Sequence, residues 1–132
     1  MAGETEQSVA AAGIDYVVGR ARYTDNPRGC IIGEQEGFLK LIFSRPDLKL
    51  IGVHAIGEHA SELVHIGLLA MTAGCDATVL SSLSFNVPTL GALYQDATWR
   101  LINEESITAG VNRGHRAEIE LSMCGLAAES RM

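Results

Sequence analysis

Leu48-Lys49-Leu50-Ile51-Gly52-Val53-His54-Ala55-Ile56-Gly57 runs directly into Glu58-His59-Ala60-Ser61-Glu62-Leu63-Val64-His65-Ile66-Gly67-Leu68-Leu69-Ala70-Met71-Thr72-Ala73-Gly74. The period of the pattern changes between the two halves. Leu50, Gly52, His54 and Ile56 alternate with Ile51, Val53 and Ala55, which predicts a strand with two largely apolar faces. From Gly57 the spacing is helical. Ala60, Leu63, Val64, Gly67, Ala70 and Met71 form one stripe, and Ile66, Leu69 and Ala73 form a second. Only Glu58, Ser61, Glu62, His65 and Thr72 keep a polar strip. A helix apolar on two sides needs two things to cover it. Its own sheet is one, and a second chain is the expected other. Gly74 is placed to end it as a left-handed cap.

The 132 residues, 47% hydrophobic and 20% charged, suit a single core of ordinary size. A net charge of −6 argues against nucleic acid or an anionic membrane surface as partner. No window reaches the ~20 apolar residues of a membrane span. Met1-Ala2-Gly3-Glu4-Thr5-Glu6 carries acid where a signal peptide carries base, so the cytoplasm is the expected compartment. Cys30, Cys75 and Cys124 are widely spaced, which fits reduced, isolated thiols.

Outward from the central stretch, residues 1–14 are small and polar and read as a loosely held lead-in with a helical turn at 8–12. Strands are predicted at 15–23, 30–33 and 38–43, with Gly37 closing a hairpin turn of 34–37. With the strand from Leu48 they give four sequential antiparallel neighbours. Past the helix, Asp76 is set to cap a short helical turn, and 83–86 to return to the sheet. Pro88 stands at the start of a second long helix over about 89–103, where Leu90, Leu93, Tyr94, Ala97 and Leu101 recur at helical spacing. The order is that of an α+β domain: an antiparallel meander sheet with helices packed on it. Glycines interrupt 104–132, where 118–126 is at best a marginal helix, so that segment reads as a divergent C-terminal tail.

Self-sufficient chemistry is hard to find. No glycine-rich phosphate loop occurs. Glu58, Glu62 and His65 share a helical face, and Glu62-x-x-His65 has the spacing of a di-iron ligand pair. That site needs a second pair and a four-helix bundle, so a solvated or inter-chain polar strip is the expectation and no metal is assigned. His54 reads as a hydrogen-bonded boundary histidine, and Ser81, Ser82 and Ser84 show no nucleophile elbow. Asn26, Arg28 and Lys40 read as a turn cap and edge-strand charges, and Trp99 as an interface or core anchor.

Four runs together resemble a known family: residues 23–33, 36–41, 50–54 and 57–67, the last being Gly57-Glu58-His59-Ala60-Ser61-Glu62-Leu63-Val64-His65-Ile66-Gly67. They resemble the C-terminal dimerisation domain of the pyridine nucleotide-disulfide oxidoreductases, the FAD enzymes that include lipoamide dehydrogenase and glutathione reductase. Glu62-Leu63-Val64-His65-Ile66-Gly67 and Phe85-Asn86-Val87-Pro88-Thr89 are closest to the soluble, Si-specific NAD(P) transhydrogenases. The likeness covers about residues 1–103, which it implies form the interface domain, and it implies a homodimer.

Among interface residues it implies Glu62, Leu63, Ile66, Gly67, Leu69, Ala70, Leu90 and Tyr94, with Val87, Pro88 and Thr89 beside the partner subunit's flavin. The family's disulfide reductases carry His-Pro-Thr-x-x-Glu there; this chain has Val87 and Ala92 in place of the histidine and the glutamate. No catalytic residue is therefore expected in it. A transhydrogenase passes hydride between nicotinamides through FAD and needs no thiol proton transfer. FAD and NAD(P) are implied for the full-length enzyme and no cofactor for this chain alone. Two alternatives stand beside this: a subunit completing a split FAD enzyme such as a dihydrolipoamide dehydrogenase-like protein, with another chain supplying the FAD and NAD domains, and a small stand-alone ligand- or metal-binding protein.

Overall fold

A computed structural model describes residues 1–109. They comprise a compact unit, Met1–Ile102, and the first residues of a second unit that starts at Asn103; residues 103–109 are helical. The tail helix expected at 118–126 lies outside the described residues.

The sheet has four antiparallel strands, β1 (Ala2–Gly3), β2 (Tyr16–Arg22), β3 (Phe38–Ser44) and β4 (Lys49–Ile56), in the order β1-β4-β3-β2. The last three form a meander from three of the four strands expected. β1 corrects the reading of 1–14 as a loose lead-in, because Ala2 and Gly3 pair with Val53 and Gly52 on the free side of β4. A two-residue strand has no periodicity, so only its pairing reveals it. Helix α1 (Glu6–Ala11) follows, opened by a Thr5–Ser8 capping box and anchored by a fully buried Val9.

β4 also departs from strict alternation. Phe43 pairs with Leu50 but Ile42 pairs with Gly52, so Ile51 is an extra residue in the ladder. The bulge lets Leu50 and Val53, three residues apart, face the same core.

The predicted strand at 30–33 is instead part of helix α2 (Pro27–Ile32), and 34–37 is therefore not a hairpin turn. The helix signals outweigh the β-branched pair Ile31-Ile32. The Asn26 side chain accepts from the Arg28 and Gly29 backbone N–H groups, Pro27 occupies the first turn, and Gly33, at φ 78, caps the end. The left-handed glycine of this stretch is Gly33, not Gly37. Residues 83–86 likewise form no strand, and the second long helix begins later than expected. Thr89 caps a single 3-10 turn, Leu90–Ala92, and the α-helix begins at 93.

Helix α3 (Ala60–Thr72) starts after His59, which adopts a left-handed conformation (φ 60), and Gly74 follows it at φ 68. Glu58 therefore precedes the helix and does not share its face with Glu62 and His65. Asp76 caps α4 (Ala77–Ser82) through the Val79 N–H. The core lies between the sheet and the helices α3, α4 and 93–102, filled by Tyr23, Leu39, Leu41, Phe43, Leu50, Val53, Leu63, Leu80, Leu93, Tyr94 and Leu101. α1 crosses the opposite face of the sheet, where its Glu6 reaches both Lys40 and Arg20. Among the described residues no helix is long and apolar enough to cross a membrane.

Candidate functional site

The two stripes of α3 have different fates. Leu63, Gly67 and Ala70 are buried in the chain's own core, whereas Ile66, Leu68 and Leu69 are exposed, Leu69 by 71%. Glu62 and His65 are exposed as well. This divides the expected interface residues. Glu62, Ile66 and Leu69 are open to a partner; Leu63, Gly67, Ala70, Leu90 and Tyr94 pack inside the chain. One contact ties α3 to the helix that follows the 89–91 turn. The Tyr94 hydroxyl, from the helix at 93–102, donates to the Leu63 carbonyl at 2.7 Å and accepts from the Gly67 N–H at 2.9 Å. It thus sits between the two groups that an α-helix normally joins directly. Burial pushes the Tyr94 phenol well above its ordinary range, so it remains protonated and able to donate. There is no room for a side chain at position 67, where a Cβ would lie 2.3 Å from Val53 Cγ2 and 2.8 Å from the Tyr94 oxygen.

The turn holding Val87, Pro88 and Thr89 lies against the start of α3. His59, Glu62, Leu63, Ile66, Thr89, Leu90 and Gly91 line one shallow groove of about 190 Å³ between them. Thr89 Oγ1 accepts from the Gly91 N–H at 3.2 Å and shapes the turn. Val87 is 70% exposed, and Pro88 is exposed beside it. His59 Nε2 stands 3.6 Å from the Glu58 carboxylate at the exposed rim. Leu63 and Leu90 make the floor apolar. The groove can therefore receive an apolar or aromatic edge, with an imidazole and a carboxylate at its mouth. Among the described residues no group of three His, Cys, Asp or Glu side chains is arranged to hold a metal ion. His54 is half-buried, with Nε2 2.9 Å from the Glu4 carbonyl.

Asn26 has a larger role than the turn cap expected of it. It is fully buried, and besides capping α2 it donates from Nδ2 to the Thr89 carbonyl at 3.1 Å. Asp96 stands near it. Burial, reinforced by the Asp25 charge, pushes the Asp96 carboxyl up, against the opposing pull of Arg100 and Asn26. Arg100 pairs with Asp25 at 2.9 Å on the surface nearby. One side chain thus ties α2 to the 89–91 turn. Tyr23 does the same for the other wall: its hydroxyl donates to the Glu58 carbonyl at 2.9 Å, fixing the entry to α3. The Asn-Pro pair announced a cap, but a tie spanning 63 residues leaves no local signal. Asn26→Ala is expected to cost about 2–3 kcal/mol, since it removes a helix cap and leaves buried groups unpaired. Urea denaturation checks this, and a cost under ~0.5 kcal/mol would mean the tie carries no weight.

Comparison with known proteins agrees with this geometry. The family described as the pyridine nucleotide-disulphide oxidoreductase dimerisation domain matches residues 1–98. The chain is 42% identical over 102 residues to the soluble pyridine nucleotide transhydrogenase of Mycobacterium tuberculosis (strain ATCC 25177 / H37Ra), covering 77% of this chain and 22% of that protein. It is 39% identical over 98 residues to the soluble pyridine nucleotide transhydrogenase of Marinomonas sp. (strain MWYL1), covering 72% and 21%. Among solved structures, LpdA from Mycobacterium tuberculosis superposes with a TM-score of 0.70 at 21% identity, over 75% of this chain and 22% of that one. The HOCl-induced flavoprotein disulfide reductase RclA from Escherichia coli gives 0.68 at 23% identity, over 73% and 22%. These two likenesses establish the fold. This chain spans only 21–22% of the length of the curated relatives named above. With residues 1–98 of 132 matched and the sheet-and-helix fold shared, the chain belongs to the pyridine nucleotide-disulphide oxidoreductases, of which it forms a dimerisation domain.

Proposed function

We propose that this domain joins two copies across the outer stripe of α3 and serves an FAD enzyme of the soluble transhydrogenase type. The observation that carries the reading is the two-sided helix. Its inner stripe is committed to the core, and its outer stripe leaves Ile66 and Leu69 open next to the groove, with Leu68 exposed beside them. Glu62 and His65 flank those residues as a polar rim, while Leu63, Gly67, Ala70, Leu90 and Tyr94 support the surface from behind. In this reading residues 1–103 act as the interface domain, 104–132 are an appended tail, and the protein works in the cytoplasm.

Among the described residues, the groove beside α3 is too small to enclose a cofactor. A groove of about 190 Å³ is smaller than the ~300–1,000 Å³ of sites that enclose small-molecule ligands. FAD and NAD(P) would be held by the domains that the longer relatives possess. Val87, Pro88 and Thr89 would then lie beside the partner subunit's flavin and exclude water from it. With Val87 and Ala92 at the positions of the family's histidine and glutamate, this turn carries neither an imidazole nor a carboxylate there to move a proton.

Sedimentation of the 132-residue chain, with a visible absorption scan, tests the reading. A colourless dimer is expected. A strict monomer at high concentration would overturn the association through α3, and a yellow sample would overturn the claim that the chain holds no flavin by itself.

A further inference from the structure

The opposite face of the sheet from α3 carries a recess that self-association does not use. β2 is an edge strand, and Arg20 and Arg22 lie two residues apart on it, so their side chains leave the same face. Their register partners on β3 are Lys40 and Phe38. The intervening Ala21 points the other way, into the core. Arg20 and Lys40 both reach the Glu6 carboxylate, at 3.1 and 2.8 Å, so two cations share one acid. The hydrogen bond from Lys40 holds the Glu6 carboxyl below its ordinary range, so it stays ionised. Among the described residues no carboxylate lies within ion-pair distance of Arg22, which is exposed. The recess, about 490 Å³, is lined by Arg20, Arg22, Gln35, Glu36, Gly37 and Phe38. That volume falls in the ordinary range of small-ligand sites, about 300–1,000 Å³.

The lining combines three chemistries rarely gathered by a merely solvated surface. Two guanidinium groups leave one face of one strand, that of Arg20 paired with Glu6 and that of Arg22 not, and such forks match phosphate oxygens bidentately. The half-buried Phe38 supplies an aromatic face. Glu36 is an acceptor only, which repels a bare anion but takes hydrogen bonds from a vicinal pair of hydroxyls. We propose that this recess binds a nucleoside phosphate, with the phosphates on Arg20 and Arg22, the ribose hydroxyls at Glu36 and the base against Phe38. The carboxylate sets the specificity. It makes the nucleotide, which brings hydroxyl donors, a better ligand than pyrophosphate, which brings only charge. The site lies on the opposite face from the proposed dimer surface, so either proposal can fail without the other.

Titration calorimetry of the full chain with ADP and with inorganic pyrophosphate, at low ionic strength and followed by amide chemical shifts, is the test. ADP should bind one to one with Kd below about 1 mM, more tightly than pyrophosphate, shifting amides at 20–22 and 35–38. Arg22→Gln should weaken ADP about tenfold, through loss of charge-assisted hydrogen bonds. Phe38→Leu should weaken ADP by a similar factor and leave pyrophosphate unchanged. Glu36→Gln should instead tighten pyrophosphate. Absence of saturable ADP binding, pyrophosphate binding as tight as ADP, or shifts confined to other residues would each overturn the proposal. Circular dichroism controls for folding, and should Arg22→Gln fail to fold, an Arg22→Lys protein with undiminished ADP affinity would overturn it equally.

Discussion

Gly67→Ala is expected to destabilise the domain by about 3 kcal/mol, although a helix-interior Gly→Ala change gains about 1 kcal/mol from propensity alone. The new methyl would stand 2.3 Å from Val53 Cγ2 and 2.8 Å from the Tyr94 hydroxyl oxygen. Val53 is fully buried in the centre of the sheet and cannot swing aside. α3 must therefore shift outward, at an overpacking cost of about 1–3 kcal/mol or more. That shift also strains both bonds of the Tyr94 hydroxyl, each worth about 1 kcal/mol net and more when left unpaired. The unfavourable contributions sum to roughly 3–5 kcal/mol and outweigh the propensity gain. Urea denaturation monitored by circular dichroism is the measurement. A Gly67→Ala protein as stable as the parent would mean that α3 does not sit against Val53 and Tyr94 as described. The resemblance placed Gly67 at the subunit interface; the atoms that crowd it belong to this chain.

Leu69→Asp is expected to have the opposite profile, with the fold intact and association lost. Leu69 is 71% exposed in the single chain, and surface changes of that kind usually fall within about 0.5 kcal/mol. In a dimer built on the outer stripe it would be covered, and an aspartate there would be an unpaired buried charge. Breaking such an environment costs at least about 3 kcal/mol, which is a more than hundredfold weaker dimer. Sedimentation velocity across a concentration series, with the dichroism spectrum as a control for folding, reads this directly. A dimer constant changed by less than about threefold would move the interface off α3. Together the two substitutions separate the roles of one helix: position 67 acts on folding and position 69 on assembly.

Much of this was legible because the decisive stretch changes period at one place. The alternation before Gly57 and the helical spacing after it define β4 and α3, and Gly74 and Asp76 mark the next boundary by their own chemistry. Even the division of α3 into two stripes was readable. What sequence could not supply was which stripe faces inward, since both are apolar. The expected interface residues on α3 accordingly drew on both, Leu63, Gly67 and Ala70 from the buried stripe and Ile66 and Leu69 from the exposed one, while Leu90 and Tyr94, outside α3, are buried in the single chain. The α2 error has a different cause. Cys30-Ile31-Ile32 has strand-like composition, yet Asn26-Pro27 before it and Gly33 after it are helix boundary signals, and Ile31 is left exposed by the helix they define. β1 and the Asn26–Thr89 tie were beyond reach for a third reason. Both rest on pairing between residues some fifty or more positions apart, which no local pattern records.

The hydroxyl of Tyr94 inside α3 constrains how this chain can diverge. Position 67 must stay glycine for as long as a tyrosine occupies position 94 and a branched residue occupies position 53, because the three contend for the same space. A descendant that acquires alanine at 67 must first have given up the hydroxyl, and reduced Val53 as well. Phenylalanine at 94 would clear the hydroxyl oxygen from that space, so the route passes through a less crowded intermediate in one order of change and a destabilised one in the other. Drift at these three sites is thus ordered: losses at 94 and 53 precede any gain at 67.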